Sequence, residues 1–192
     1  MKKLSFVLLF LGFISCEKQK DQYWSEVDFD NKISINPTYS KMDEEGFVSL
    51  SDNPKVRKTN SVRYNEKDLN KTDNLDMDNT FENFVCSANL NHSDTLFIDI
   101  GLHSWFSGSG FIITYFDRNF ITQLYTYRDV ILENETRPTY KILSQNLTLN
   151  KPKYVVGDSI YGSVEFRIIE INGKLQTRHA ANGFFRTKIT KE

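Results

Sequence analysis

The sequence predicts an all-β chain: an antiparallel β-sandwich of about seven to nine strands, immunoglobulin-like or similar, with a barrel as the alternative. Three observations carry this. Short apolar runs alternate with a period of two, Asn172-Gly173 stands between two such runs, and no segment sustains a 3.6-residue period. In chain order, Val27-Asp28-Phe29, Ile33-Ser34-Ile35 and Phe47-Val48-Ser49-Leu50 are short candidate strands that dock on the main body. Asn65 to Asn79 lacks apolar periodicity and reads as a solvated loop. Phe84, Cys86, Ala88 and Leu90 share one face of the next strand, and Leu96, Ile98, Ile100 and Leu102 one face of the strand after it. Ser107-Gly108-Ser109-Gly110 reads as a flexible hairpin tip, and Phe111 to Phe116, apolar on both faces, as a central strand. Phe120 to Tyr127 places Phe120 and Leu124 on one side, with Ile121, Tyr125 and Tyr127 on the other. Tyr140 to Leu143, Leu147 to Leu149 and Ser159 to Ile171 continue the pattern, and a last strand runs from Gly183 to Thr190. A type I′ turn on Asn172-Gly173 would set Glu170 opposite Leu175, Ile168 opposite Thr177 and Phe166 opposite His179.

Composition narrows the class. Among 192 residues, 24 Lys and Arg face 25 Asp and Glu for a net charge of -1, which carries no basic footprint for nucleic acid. Nine Gly and four Pro exclude collagen-like and Pro/Gly low-complexity chains, and 14% aromatics argue against a wholly disordered one. Two cysteines supply neither a disulfide scaffold nor a four-thiolate zinc site. Apolar content shifts near residue 80: nine Ile, Leu or Val occur in residues 17–80 and twenty-six in 81–192. The expected organisation is therefore a signal at 1–15, a polar leader at 16–80 and a β-domain at 81–192 that folds by itself.

Met1-Lys2-Lys3 followed by the apolar run Leu4 to Ile14 has the length of a secretory h-region and is too short to span a bilayer. The run ends Phe13-Ile14-Ser15-Cys16 and turns polar at Glu17. It resembles a bacterial lipoprotein signal cleaved before an acylated cysteine. Ser15 fits that box and Phe13 and Ile14 depart from it, as in the looser boxes of Bacteroidota-like bacteria. The resemblance implies lipidation at Cys16, with several acyl chains anchoring the protein in the membrane. Glu17 in place of Asp is unlike an inner-membrane retention signal, which points to the outer membrane. The segment Tyr154 to Phe166, with Gly183 to Ile189, is similar to the closing strands of small Bacteroidota envelope lipoproteins and implies a β-sandwich. Asp94-Thr95-Leu96 and Asp158-Ser159-Ile160 resemble the O-glycosylation acceptors of such bacteria.

Acylation would leave Cys86 as the lone thiol, and its strand setting reads as inert core. His92, His103 and His179 lie in separate segments without metal-ligand spacing. Asp76 to Thr80 opens like a calcium loop, but Phe81 occupies the place of the required glycine. Ser107 to Gly110 matches neither a nucleophile elbow nor a phosphate loop. Glu133 and Glu135 sit in a polar turn that would not raise a carboxyl pKa. The expectation is a non-enzymatic chain without cofactor or metal.

Aromatic surface is the feature with binding content. Trp105 and Phe106 flank the glycine-rich stretch, and Tyr125 and Tyr127 are two apart on one strand face, so these four are the candidate ligand contacts. The sequence thus points to an envelope lipoprotein that acts as an interaction module for a protein or glycan. The alternatives are an immunity-type lipoprotein that blocks a toxin, and a small hydrolase or isomerase with a barrel-mouth site around His103 or His179.

Overall fold

Alternating apolar residues dictate strands over most of the chain, and strands are what form. The computed structural model describes residues 23–44, 58–70, 79–81, 84–129 and 137–192. In chain order, β1 (Ser25–Glu26) and β2 (Asp28–Phe29) precede a 3-10 turn (Ile33–Ile35) and a short helix, α1 (Pro37–Glu44). Next come β3 (Arg63–Asp68), β4 (Asn79–Phe81), β5 (Val85–Leu90), β6 (Leu96–His103), β7 (Ser107–Phe116) and β8 (Asn119–Arg128). The chain finishes with β9 (Thr139–Leu149), β10 (Ser159–Asn172) and β11 (Leu175–Lys191).

The fold is all-β and sandwich-like. Its strands join in the order β1-β8-β7-β6-β5-β11-β10-β9-β2, with β3 added beside β11 and β4 beside β3, and the sheet does not close into a barrel. β11 belongs to both layers. Its end, Ile189 to Lys191, pairs in parallel with β5, while Thr177 to Asn182 pairs antiparallel with β3. Its other edge carries β10 from Ser159 to Asn172. A second parallel pairing joins β2 to β9, so the sheet is mixed where the sequence predicted an antiparallel one. Both parallel contacts are brief: β11 with β5 joins the two layers, and β2 extends the edge of the layer that holds β9. The inner faces meet through fully buried Ile98, Ile100, Phe111 and Ile113 from one layer and Leu147, Phe166 and Ile168 from the other. Buried Gln145 ties the outer edges: its Oε1 accepts from the Thr122 N–H, and its Nε2 donates to Tyr23 O and Ser25 Oγ.

Several elements depart from the sequence reading. Ile33-Ser34-Ile35 is a 3-10 turn, not a strand: Ile33 is buried and Ile35 is 77% exposed, whereas an extended chain would put both on one face. α1 spans two turns, too few to register as a period. Pro37 opens it, and Asn36 Oδ1 accepts from the Thr38 N–H at 2.9 Å. Of the expected solvated loop, Asn65 to Asp68 belongs to β3, paired with β11 and β4. Ser107 to Gly110 is part of β7, so the hairpin tip is Ser104-Trp105-Phe106. Tyr140 to Leu143 and Leu147 to Leu149 are one strand, β9, with an extra residue between the partners of Arg167 and Ile168. That bulge turns Leu143 outward and returns Ile142 to the inner face.

The β10–β11 hairpin also differs. Asn172 pairs with Leu175, which puts Glu170 opposite Thr177, Ile168 opposite His179 and Phe166 opposite Ala181. The loop is therefore Gly173-Lys174, with φ +61 at Gly173 alone. That is the type II′ requirement of glycine at the first central position, which spares Asn172 a left-handed conformation. The shift is by two residues, so every side chain keeps its predicted face.

The leader is fastened to the outer face of β10 and β11. Tyr39 and Met42 of α1 are buried there, and Tyr39 Oη donates to Gly162 O at 3.0 Å and Phe185 O at 3.2 Å. Burial pushes the Tyr39 phenol well above its ordinary range. Arg186 reaches Asp43 with both terminal nitrogens, at 3.1 and 2.6 Å, and also donates to Tyr39 O and Lys58 O. The candidate strand Phe47 to Leu50 lies outside the described residues.

Candidate functional site

Alternation along three strands builds a patch on the outer face of the β5–β8 layer. β6 sends Asp99, Gly101 and His103 to that face, β7 sends Gly108 and Gly110, and β8 sends Tyr125 and Tyr127. Register sets Gly101 and Gly110 in line with Tyr125, and His103 and Gly108 in line with Tyr127. A Cβ added at Gly101 would stand 2.1 Å from Tyr125 Oη, and one at Gly108 would stand 2.2 Å from Tyr127 Cε1. Bare backbone at these positions lets the rings lie on the sheet. The glycines are a floor for aromatic rings.

His103 lies along the same floor. Four residues of extended strand separate its Cα from that of Asp99 by roughly 13 Å. With no side chain at Gly101 between them, His103 Nε2 still comes within 3.0 Å of Asp99 Oδ2 and 2.9 Å of Tyr125 Oη. Tyr125 Oη donates to Asp99 Oδ1 at 2.9 Å. Burial, then the hydrogen bond to the Asp99 carboxylate and its charge, hold the Tyr125 phenol far above its usual range, so it stays a donor. Ring centroids of His103, Tyr125 and Tyr127 are 5.6, 6.3 and 6.4 Å apart, with planes within 28° of one another. That spacing is offset, not face to face, and makes a small platform. His103 and Tyr127 remain about half exposed, at 46% and 44%.

The β6–β7 tip adjoins this platform. Ser104 Oγ accepts from the Ser107 N–H at 3.0 Å, and the Ser104 N–H donates to Ser107 O at 2.8 Å. Tyr127 Oη donates to Ser104 O at 3.3 Å, and the Asp129 N–H donates to Phe106 O at 2.9 Å. This frame holds Trp105 97% and Phe106 71% exposed. Of the four predicted contacts, the structure places Tyr125 and Tyr127 side by side and Trp105 and Phe106 on the adjoining tip. The sequence reading missed the Asp99–His103 pair. Its signal was available: glycines at 101, 108 and 110 fall on the strand face that tyrosines occupy across the hairpin.

A second polar group lies on the inner face. His179 is buried, with Nδ1 at 2.7 Å from Tyr64 Oη and 3.5 Å from Glu66 Oε1, and Nε2 at 3.1 Å from Glu170 Oε2. Burial raises the Tyr64 phenol, and the neighbouring Glu66 adds to the shift. Tyr64 also packs its ring on Phe84, Phe111 and Phe166, so this group fixes β3 over the end of the core. Cys86 is fully buried, and its thiol is pushed up by desolvation, as expected of an inert core cysteine. His92 lies in an exposed turn. Among the described residues, no three His, Cys, Asp or Glu side chains gather as a metal site. Cys16, Asp76 to Asp78, Glu133 and Glu135 lie outside the described residues. No protein-family model, curated protein or solved structure matches the chain.

Proposed function

We propose that the protein is a non-enzymatic envelope lipoprotein, anchored in the outer membrane through Cys16, whose β-sandwich binds glycan on the Tyr125–Tyr127–His103 platform. The observation that carries this reading is the set of near-parallel, half-exposed rings laid on a glycine floor. A pyranose presents an apolar face of C–H groups and a rim of hydroxyls. Flat rings with polar atoms at their edges complement both. Asp99 and His103 supply such atoms, and Trp105 extends the aromatic surface at the tip. A protein partner, including a toxin held by an immunity-type module, is the second reading; it is favoured by Trp105, since exposed tryptophans are frequent binding anchors.

Titration of the full chain with cellohexaose, maltohexaose and mannohexaose tests the first reading. Tyr127→Ala together with Trp105→Ala is expected to weaken the best of these by about thirtyfold or more, which is about 2 kcal/mol for the two anchors together. Thermal stability should barely move, because Trp105 is solvent-exposed and Tyr127 nearly half so. A large stability loss with binding intact would show the rings to be structural. The anchor has its own test: labelled palmitate should mark the wild type in cells and leave Cys16→Ala unmarked.

A further inference from the structure

We propose that His103 is the acceptor that reads a ligand hydroxyl at the platform, with Asp99 as the residue that positions it. This rests on the glycan reading above. Nε2 of His103 lies 3.0 Å from Asp99 Oδ2. A lone pair there would face a carboxylate, so the neutral ring carries its proton on Nε2 and donates to Asp99. Nδ1 is then an acceptor. Tyr127 Oη stands 3.5 Å from it, too long to satisfy it, and that hydroxyl already donates to Ser104 O. An open acceptor therefore lies at the edge of the stacked rings, on a side chain about half exposed to solvent. A sugar stacked on Tyr127 would bring its hydroxyl rim to this atom.

The groups facing His103 are few. Asp99 is on its own strand, and Tyr125 and Tyr127 come from β8. β7 contributes Gly108 and Gly110, which carry no side chain to cover the ring, while β5 presents Val85 and Ser87 to this face.

The test uses the full chain with nitrogen-15-labelled histidine, and the best-binding of cellohexaose, maltohexaose and mannohexaose. The spectrum of the neutral His103 ring should show an unprotonated Nδ1 in the wild type and mixed tautomers in Asp99→Asn. His103→Phe keeps a flat ring without the acceptor, and should bind about tenfold more weakly than the wild type, one hydrogen bond's worth. Asp99→Asn should bind more weakly than the wild type and more tightly than His103→Phe, with all variants checked for an unchanged melting temperature. Full affinity in His103→Phe would overturn the reader. A protonated Nδ1 on the neutral wild-type ring would overturn the role of Asp99. If none of the three sugars binds, the glycan reading fails and the reader falls with it, while the tautomer spectrum still decides whether Asp99 positions the ring.

Discussion

Phe166→Ala is expected to cost about 3–5 kcal/mol of folding stability, the range for removing a large ring from a packed core. Phe166 is fully buried on β10, and its ring meets Phe111 of the opposite layer edge-on, with centroids 4.8 Å apart and planes at 76°. Tyr64 closes over it at 6.3 Å. The ring therefore touches both layers and the leader strand β3, and no small shift of one element would refill its space. Urea denaturation should show a lowered midpoint with an unchanged slope. A loss below about 1 kcal/mol would mean that the two layers do not meet at Phe166.

Residues 81–192 alone are expected not to hold the native fold, against the expectation drawn from composition. The leader supplies β1 and β2 along the outer edges and β3 beside β11. It adds Val27, Val62 and Tyr64 to the core and covers β10 and β11 with Tyr39 and Met42. Removing it would bare Phe84, Phe111 and Phe166 where Tyr64 now packs, and leave the buried face of Arg186 without Asp43. Several kcal/mol would go, against a typical total stability of about 5–15 kcal/mol. Circular dichroism and amide dispersion of this fragment should report an unfolded or molten chain; a cooperative thermal transition equal to that of the full protein would refute the assignment of the leader to the core.

What the sequence made legible, and what it hid, follows from the range of the signal. β6 and β10 were readable because one face of each is buried and the other is less so, which writes a period of two into the residues. β3 was hidden because Arg63-Tyr64-Asn65-Glu66-Lys67-Asp68 packs with one aromatic, and its polar residues face solvent or the His179 group. α1 was hidden by its brevity. The bulge at Leu143 reverses the alternation within one strand, so one strand read as two. In the site, Tyr125 and Tyr127 were visible as neighbours on one face. The Asp99–His103 contact was not, because four residues of strand ordinarily keep two side chains apart. Only the missing side chain at Gly101, whose place the Tyr125 hydroxyl takes, lets them meet.

Ligand binding on the glycine-floored rings is open to chemical-shift mapping of the full chain, with the three hexasaccharides added in turn. Resonances of His103, Trp105, Tyr125 and Tyr127 are expected to shift together and saturate, while those of Tyr39 and Arg186 on the far layer stay in place. Saturable shifts centred on the α1 face, with the platform unmoved, would contradict it.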